Sequence, residues 1–67
     1  MSISYNPLWH LLLEKKMKKG DLQAMISVSN STIAKLGKDE PVSLDILEKI
    51  SVALDCRIED IIEFVKD

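Results

Sequence analysis

The segment Met25-Ile-Ser-Val-Ser-Asn-Ser-Thr-Ile-Ala-Lys-Leu36 constrains this chain more than any other stretch. It reads as the end of one helix, a tight turn at Ser27-Val28 and a second short helix opened by Ser29. In that second helix Ile33 and Leu36 share one face, while Asn30, Ser31, Ala34, Lys35 and Lys38 follow an i, i+1, i+4, i+5, i+8 stripe on another. A short helix with a dry inner side and small polar and cationic outer residues fits the major groove of double-stranded DNA. Asparagine and lysine can there hydrogen-bond base edges and phosphates. The same pattern also describes an ordinary αα-hairpin with a solvated outer face.

The remaining residues narrow the choice. A chain of 67 residues makes one small domain over 1–67, with one core and little room for a deep cleft. Apolar residues make up 46%, and Gly and Pro only four positions, which marks a folded chain. No apolar run is long enough for a membrane span, and residues 1–6 lack the basic-then-apolar pattern of a secretory signal. A single Cys56 cannot form an internal disulfide and fits a reducing, cytoplasmic setting, where it reads as a small buried hydrophobe. His10 is alone and no ligand pair stands at zinc spacing, so no metal, cofactor or small-molecule ligand is expected and the chain does not read as an enzyme.

A net charge of −2 argues against a nucleic-acid binder until its distribution is considered. Residues 1–38 hold six lysines (15, 16, 18, 19, 35 and 38) against Glu14 and Asp21, a balance of +4. Residues 39–67 hold three cations against nine acids, a balance of −6. The basic half contains the hairpin, and an acidic far side favours one orientation of approach to DNA. The alternative is that Lys15 to Lys19 is simply a solvated helix end.

Helical spacing organises the whole chain. Asn6-Pro7 predicts a helix start with Asn6 as N-cap and Pro7 first inside, followed by Leu8, Leu11, Leu12 and Met17 on one side. Gly20 is expected between helices one and two, and Asp21 to Ile26 forms the second with Leu22, Met25 and Ile26 inward. The third runs from Asn30 to about Leu36, and 37–42 is a polar loop. Ser43 caps a fourth helix with Leu44, Leu47, Ile50 and Leu54 inward. After an interruption at Asp55 to Arg57, the stripe Ile58, Ile61, Ile62, Val65 predicts a fifth. No alternating strand pattern appears, although Ser2 to Tyr5 could be locally extended. The expected fold is all-α, five helices around one core.

Helices arranged this way, with the hairpin at positions two and three, resemble the lambda-repressor-like (Cro-type, xenobiotic-response-element) helix-turn-helix family. The similarity runs without gaps over Asn6 to Ile62. Helix two opens near Lys18-Lys19, Leu22 and Ile26 face the core, Val28-Ser29 lies in the turn, and Ser31-Thr-Ile-Ala-Lys-Leu36 matches the recognition helix. The segment from Val42 to Ile62 looks like the family's later helices. Gln23 and Ser27 depart from the family's usual Ala and Gly, so Ser27 is expected to be strained at positive φ. Leu12 and Gly37 stand where relatives often pair an arginine with a glutamate; losing both avoids stranding one charge. Leu12 is then expected to lie against the end of helix three, and Gly37 to close that helix in a left-handed cap.

The resemblance implies a sequence-specific DNA-binding transcriptional regulator, most often a repressor that binds a two-fold operator as a homodimer. By position it makes Asn30, Ser31, Ala34 and Lys35 base readers, Ala34 against a thymine methyl. It makes Lys18, Lys19, Thr32 and Lys38 phosphate contacts. Tyr5, Trp9, Leu13 and Phe64 are the large apolar residues that the core least requires, and are the candidates for a dimer seam. The same apolar excess also fits a small helical protein-interaction module, antitoxin-like or a co-regulator.

Overall fold

The computed structural model describes residues 2–66. In chain order they form β1 (Ser2–Ser4), α1 (Asn6–Glu14), α2 (Lys19–Ile26), α3 (Asn30–Gly37), α4 (Leu44–Leu54), a 3-10 turn (Ile58–Asp60) and β2 (Glu63–Val65). Helices dominate, as expected, but there are four of them and a small antiparallel sheet. Among the described residues no helix is long and apolar enough to cross a membrane.

The first helix begins where its orphan donors can be satisfied. The Asn6 amide N–H donates to Ser4 Oγ at 3.2 Å, Pro7 has no N–H to leave unpaired, and Leu8 N–H donates to the Ile61 carbonyl at 3.2 Å. The cap therefore sits one residue earlier than the sequence suggests, with Tyr5 at N-cap and Asn6 already helical. In α2, Lys18 N–H donates to the Asp21 carboxylate at 2.8 Å. That bond draws the helix start back to Lys19, so Gly20 lies inside α2 and not between the helices. Ser43 caps α4 by accepting the Ile46 N–H at 3.4 Å, and Asp55, left-handed at φ 51°, closes it.

The core comprises Tyr5, Leu8, Leu12, Leu22, Ile26, Leu36, Leu47, Ile50, Leu54 and Ile61. In α2 and α4, two residues expected to face inward turn outward. The phase that buries Leu22 and Ile26, four apart, leaves Met25 at the rim of a groove shared with Val52 and Ala53 of α4. Leu44 is exposed because it opens α4 a turn before the helix reaches the core at Leu47.

The fifth helix is replaced by the 3-10 turn and β2. Ser2, Ile3 and Ser4 pair with Val65, Phe64 and Glu63. Residues 61–65 are rich in β-branched and aromatic side chains that favour a pleated surface, and a helix so short nucleates poorly. Only Ile61 of the expected stripe is fully buried; Ile62 is half-buried, and Ile58 and Val65 are exposed. A lone two-stranded sheet is marginal. Here the Leu8–Ile61 bond and buried Tyr5 tie both of its strands to α1 at the Ser4–Glu63 end.

Candidate nucleic-acid interface

The hairpin turn is built from three local devices. Ser27 adopts φ 54°, ψ 51°, the left-handed conformation expected for a position usually given to glycine, and its N–H donates to the Gln23 carbonyl at 2.9 Å. Ser29 is extended, and its Oγ accepts the Thr32 N–H at 3.3 Å, which opens α3. The same Oγ lies 2.8 Å from Ser31 Oγ and 3.2 Å from Thr32 Oγ1, so the three hydroxyls form one cluster at the helix start.

From that start α3 divides into two faces. Leu36 is buried and Ile33 half-buried against the core. Asn30, Ser31, Ala34 and Lys35 are exposed, with Lys38 beyond the helix end also exposed and Thr32 half-buried. The residues expected to read bases thus share one accessible face. Lys18 and Lys19 are exposed at the beginning of α2.

Lys19 is held in place. Its Nζ stands 4.5 Å from the centroid of the Trp9 ring, a cation–π geometry. A Cβ built on Gly37 would lie 3.5 Å from the same nitrogen. The ammonium therefore sits between the indole of α1 and the C-terminal end of α3, where the helix dipole also favours a cation. Gly37 leaves this approach open but does not cap the helix. No glycine has positive φ among the described residues. Lys38 is the C-cap at φ −104°, and the left-handed residue is Asp39 at φ 56°. An aspartate tolerates that conformation, and its Oδ1 accepts the Tyr5 N–H at 3.0 Å. Leu12 is buried in the core.

Tyr5 is the clear correction among the expected outward residues. It is fully buried, and its phenol donates to the Glu40 carbonyl at 2.7 Å, fastening the loop after α3 to the start of α1. It has no surface to offer a seam. Trp9 is half-buried with Lys19 over one face. Leu13 and Phe64 stand outward, 76% and 66% exposed. Burial, with the Asp60 charge adding to it, pushes the Cys56 thiol up, so this cysteine carries little reactive thiolate.

Gln23, marked in the sequence only as a departure from the family's alanine, has a role across the hairpin that sequence reasoning did not assign. Its Nε2 donates to the Val28 carbonyl at 3.1 Å and to Asn30 Oδ1 at 2.7 Å, joining α2, the turn and the first residue of α3. The available signal was an amide seven residues before Asn30, on the helix turn that faces it across the hairpin.

Comparison with known proteins agrees with this geometry. No curated protein matches the chain. A solved crystal structure, that of the transcriptional regulator VanUg in its form II, is 50% identical and superposes with a TM-score of 0.95, covering 98% of this chain and 88% of that one. The family model of the Cro/C1-type helix-turn-helix DNA-binding domain matches residues 7–67. With α2 and α3 forming the hairpin and α3 turning a polar face outward, the chain belongs to the Cro/C1-type helix-turn-helix family of DNA-binding domains.

Proposed function

We propose that this protein is a transcriptional regulator, a repressor that binds a two-fold operator as a homodimer and reads it with α3. One observation carries the reading: the exposed stripe of Asn30, Ser31, Ala34 and Lys35, flanked by Lys38 and by a Lys19 ammonium already held in place. In this reading α3 enters the major groove, and Asn30 and Lys35 approach base edges. Ser31 contributes a hydroxyl, and Ala34 meets a thymine methyl. Lys18, Lys19, Thr32 and Lys38 engage phosphates, which supply affinity without sequence information. The relative described as a transcriptional regulator supports the regulatory role. The cytoplasm is the compartment this role requires.

A single short helix reads few base pairs, so selectivity calls for two copies with recognition helices about 34 Å apart along the duplex. Leu13 and Phe64, with half-buried Trp9, are the apolar residues to close such a seam.

Binding isotherms on selected and random duplexes, at several salt concentrations, test the reading. Asn30→Ala and Lys35→Ala should each lose roughly 1–3 kcal/mol on the selected site and much less on random DNA. Equal losses on both would remove α3 as the reader. The exposed apolar residues Leu13, Val52 and Phe64 favour a second reading, a protein-interaction module. Absence of any salt-dependent shift on DNA, together with tight co-purification of a partner protein, would establish it. A sedimentation monomer at high concentration, free and on DNA, would exclude the homodimer.

A further inference from the structure

The reader at the start of α3 does not present a free amide. Gln23 Nε2 lies 3.1 Å from the Val28 carbonyl oxygen, which can only accept, so the nitrogen end of the Gln23 carboxamide must face it. The same nitrogen lies 2.7 Å from the Asn30 side chain. Its second hydrogen requires an acceptor there, so Asn30 turns Oδ1 inward and Nδ2 outward. Both hydrogens of Gln23 Nε2 are then used. One backbone carbonyl therefore fixes the orientation of two consecutive amides.

We propose that Gln23 is a specificity-determining positioning residue: it holds Asn30 as an outward hydrogen-bond donor, so that Asn30 selects guanine over adenine at its base pair. This rests on the base-reading role given to Asn30 above. An asparagine that pairs with adenine in bidentate fashion must accept from N6 with Oδ1 while donating to N7 with Nδ2. Here Oδ1 is turned toward α2 and already accepts a short hydrogen bond. The outward NH2 carries only donors, which match the N7 and O6 acceptors of guanine. Donation from Gln23 also polarises the Asn30 amide and strengthens its outward donors. Asn30 itself is exposed and its backbone is set by the Ser29 cap, so the tether governs side-chain polarity more than helix placement.

The experiment is selection of bound duplexes from a randomised pool by the intact protein, followed by isotherms on the selected site and on random duplex DNA. Wild type should select guanine at one position per half-site and lose about tenfold when adenine replaces it, with little change on random DNA. Asn30→Ala should erase that preference. Gln23→Ala should erase it at the same base pair, and the double variant should lose nothing more. Gln23→Glu, which cannot donate and pairs with the Asn30 NH2, should turn Oδ1 outward and shift the preference toward adenine.

Selection of adenine at the Asn30 position by the wild type would overturn the proposal while leaving base reading intact. That arm needs no variant to fold. A Gln23→Ala protein that keeps the guanine preference and weakens all duplexes alike would also overturn it, leaving Gln23 as a tie across the turn. An Asn30→Ala protein with every base preference unchanged would instead overturn the base-reading role on which the proposal rests.

Discussion

In the α2–α3 hairpin, the bonds that shape the backbone join close neighbours: Ser27 to Gln23, Thr32 to Ser29, and Gln23 to the Val28 carbonyl five residues on. The terminal closure works over the opposite range. Ser2 pairs with Val65, Ile3 with Phe64, and Leu8 bonds Ile61. The two regions also differ in what they turn outward, amides, hydroxyls and lysines in the hairpin and Phe64 with Val65 in the closure. A recognition surface must be set by local geometry if its side chains are to hold their positions to a fraction of an ångström. The closure only has to bring the two ends of the chain against the core.

If this division holds, changes in the closure and core should alter stability and leave DNA preference intact, while changes on the hairpin's outer face should do the reverse. The largest effect should come from Leu12→Arg. Leu12 is buried, and the glutamate that accompanies an arginine in relatives is Gly37 here. An unpaired buried charge should cost on the order of 3 kcal/mol in chemical denaturation. Parent-like stability would mean the side chain escapes to solvent.

Tyr5→Phe comes next. It removes the donor to Glu40 and should destabilise by about 1–2 kcal/mol, with base preference unchanged. Burial raises the Tyr5 phenol above its ordinary value. The folded protein therefore keeps that proton to higher pH than the unfolded chain does. The associated stability is complete below the unfolded pKa and is lost as pH rises through the folded one. Denaturation midpoints should fall on the alkaline side for wild type, and Tyr5→Phe should lessen that dependence, leaving the share of the raised Cys56 thiol.

Ser27→Gly should stabilise by about 1 kcal/mol, because a Cβ at φ 54° is strained and glycine relieves it. Selection of the same sites as wild type would keep the turn on the structural side of the division. The smallest effect belongs to Lys19→Ala, which should leave stability nearly unchanged. It should weaken selected and random DNA alike and lower the salt slope by about one unit. A loss confined to the selected site would transfer Lys19 from phosphate binding to base reading.

Much of the hairpin could be read from residue order. Ser29, Ile33 and Leu36 imply the third helix and its inner face, and comparison with the family's glycine implied the left-handed Ser27. Other details could not be read this way. Whether Lys19 points to solvent depends on Trp9 from a different helix. The orientation of Asn30 depends on a hydrogen bond from α2, and Asp39, not Gly37, takes the left-handed position after α3, where its carboxylate accepts the Tyr5 N–H.

The chain's own pattern thus determined the four helices, their caps to within a residue or two, and the charge separation between its halves. Those properties arise from periodicity and from groups within about one helical turn, which are adjacent in sequence as well as in space. Tertiary structure decided the fate of the two termini. The stripe from Ile58 to Val65 suits a helix by spacing, and the local signal has no means of registering that Ser2–Ser4 lies within pairing distance. It likewise decided that Tyr5 is core and Phe64 is surface, since two aromatic residues near opposite ends of the chain carry no mark of which will meet the helices. Burial is a property of the packed whole, and each side chain's share of it is assigned only when distant segments compete for the same interior.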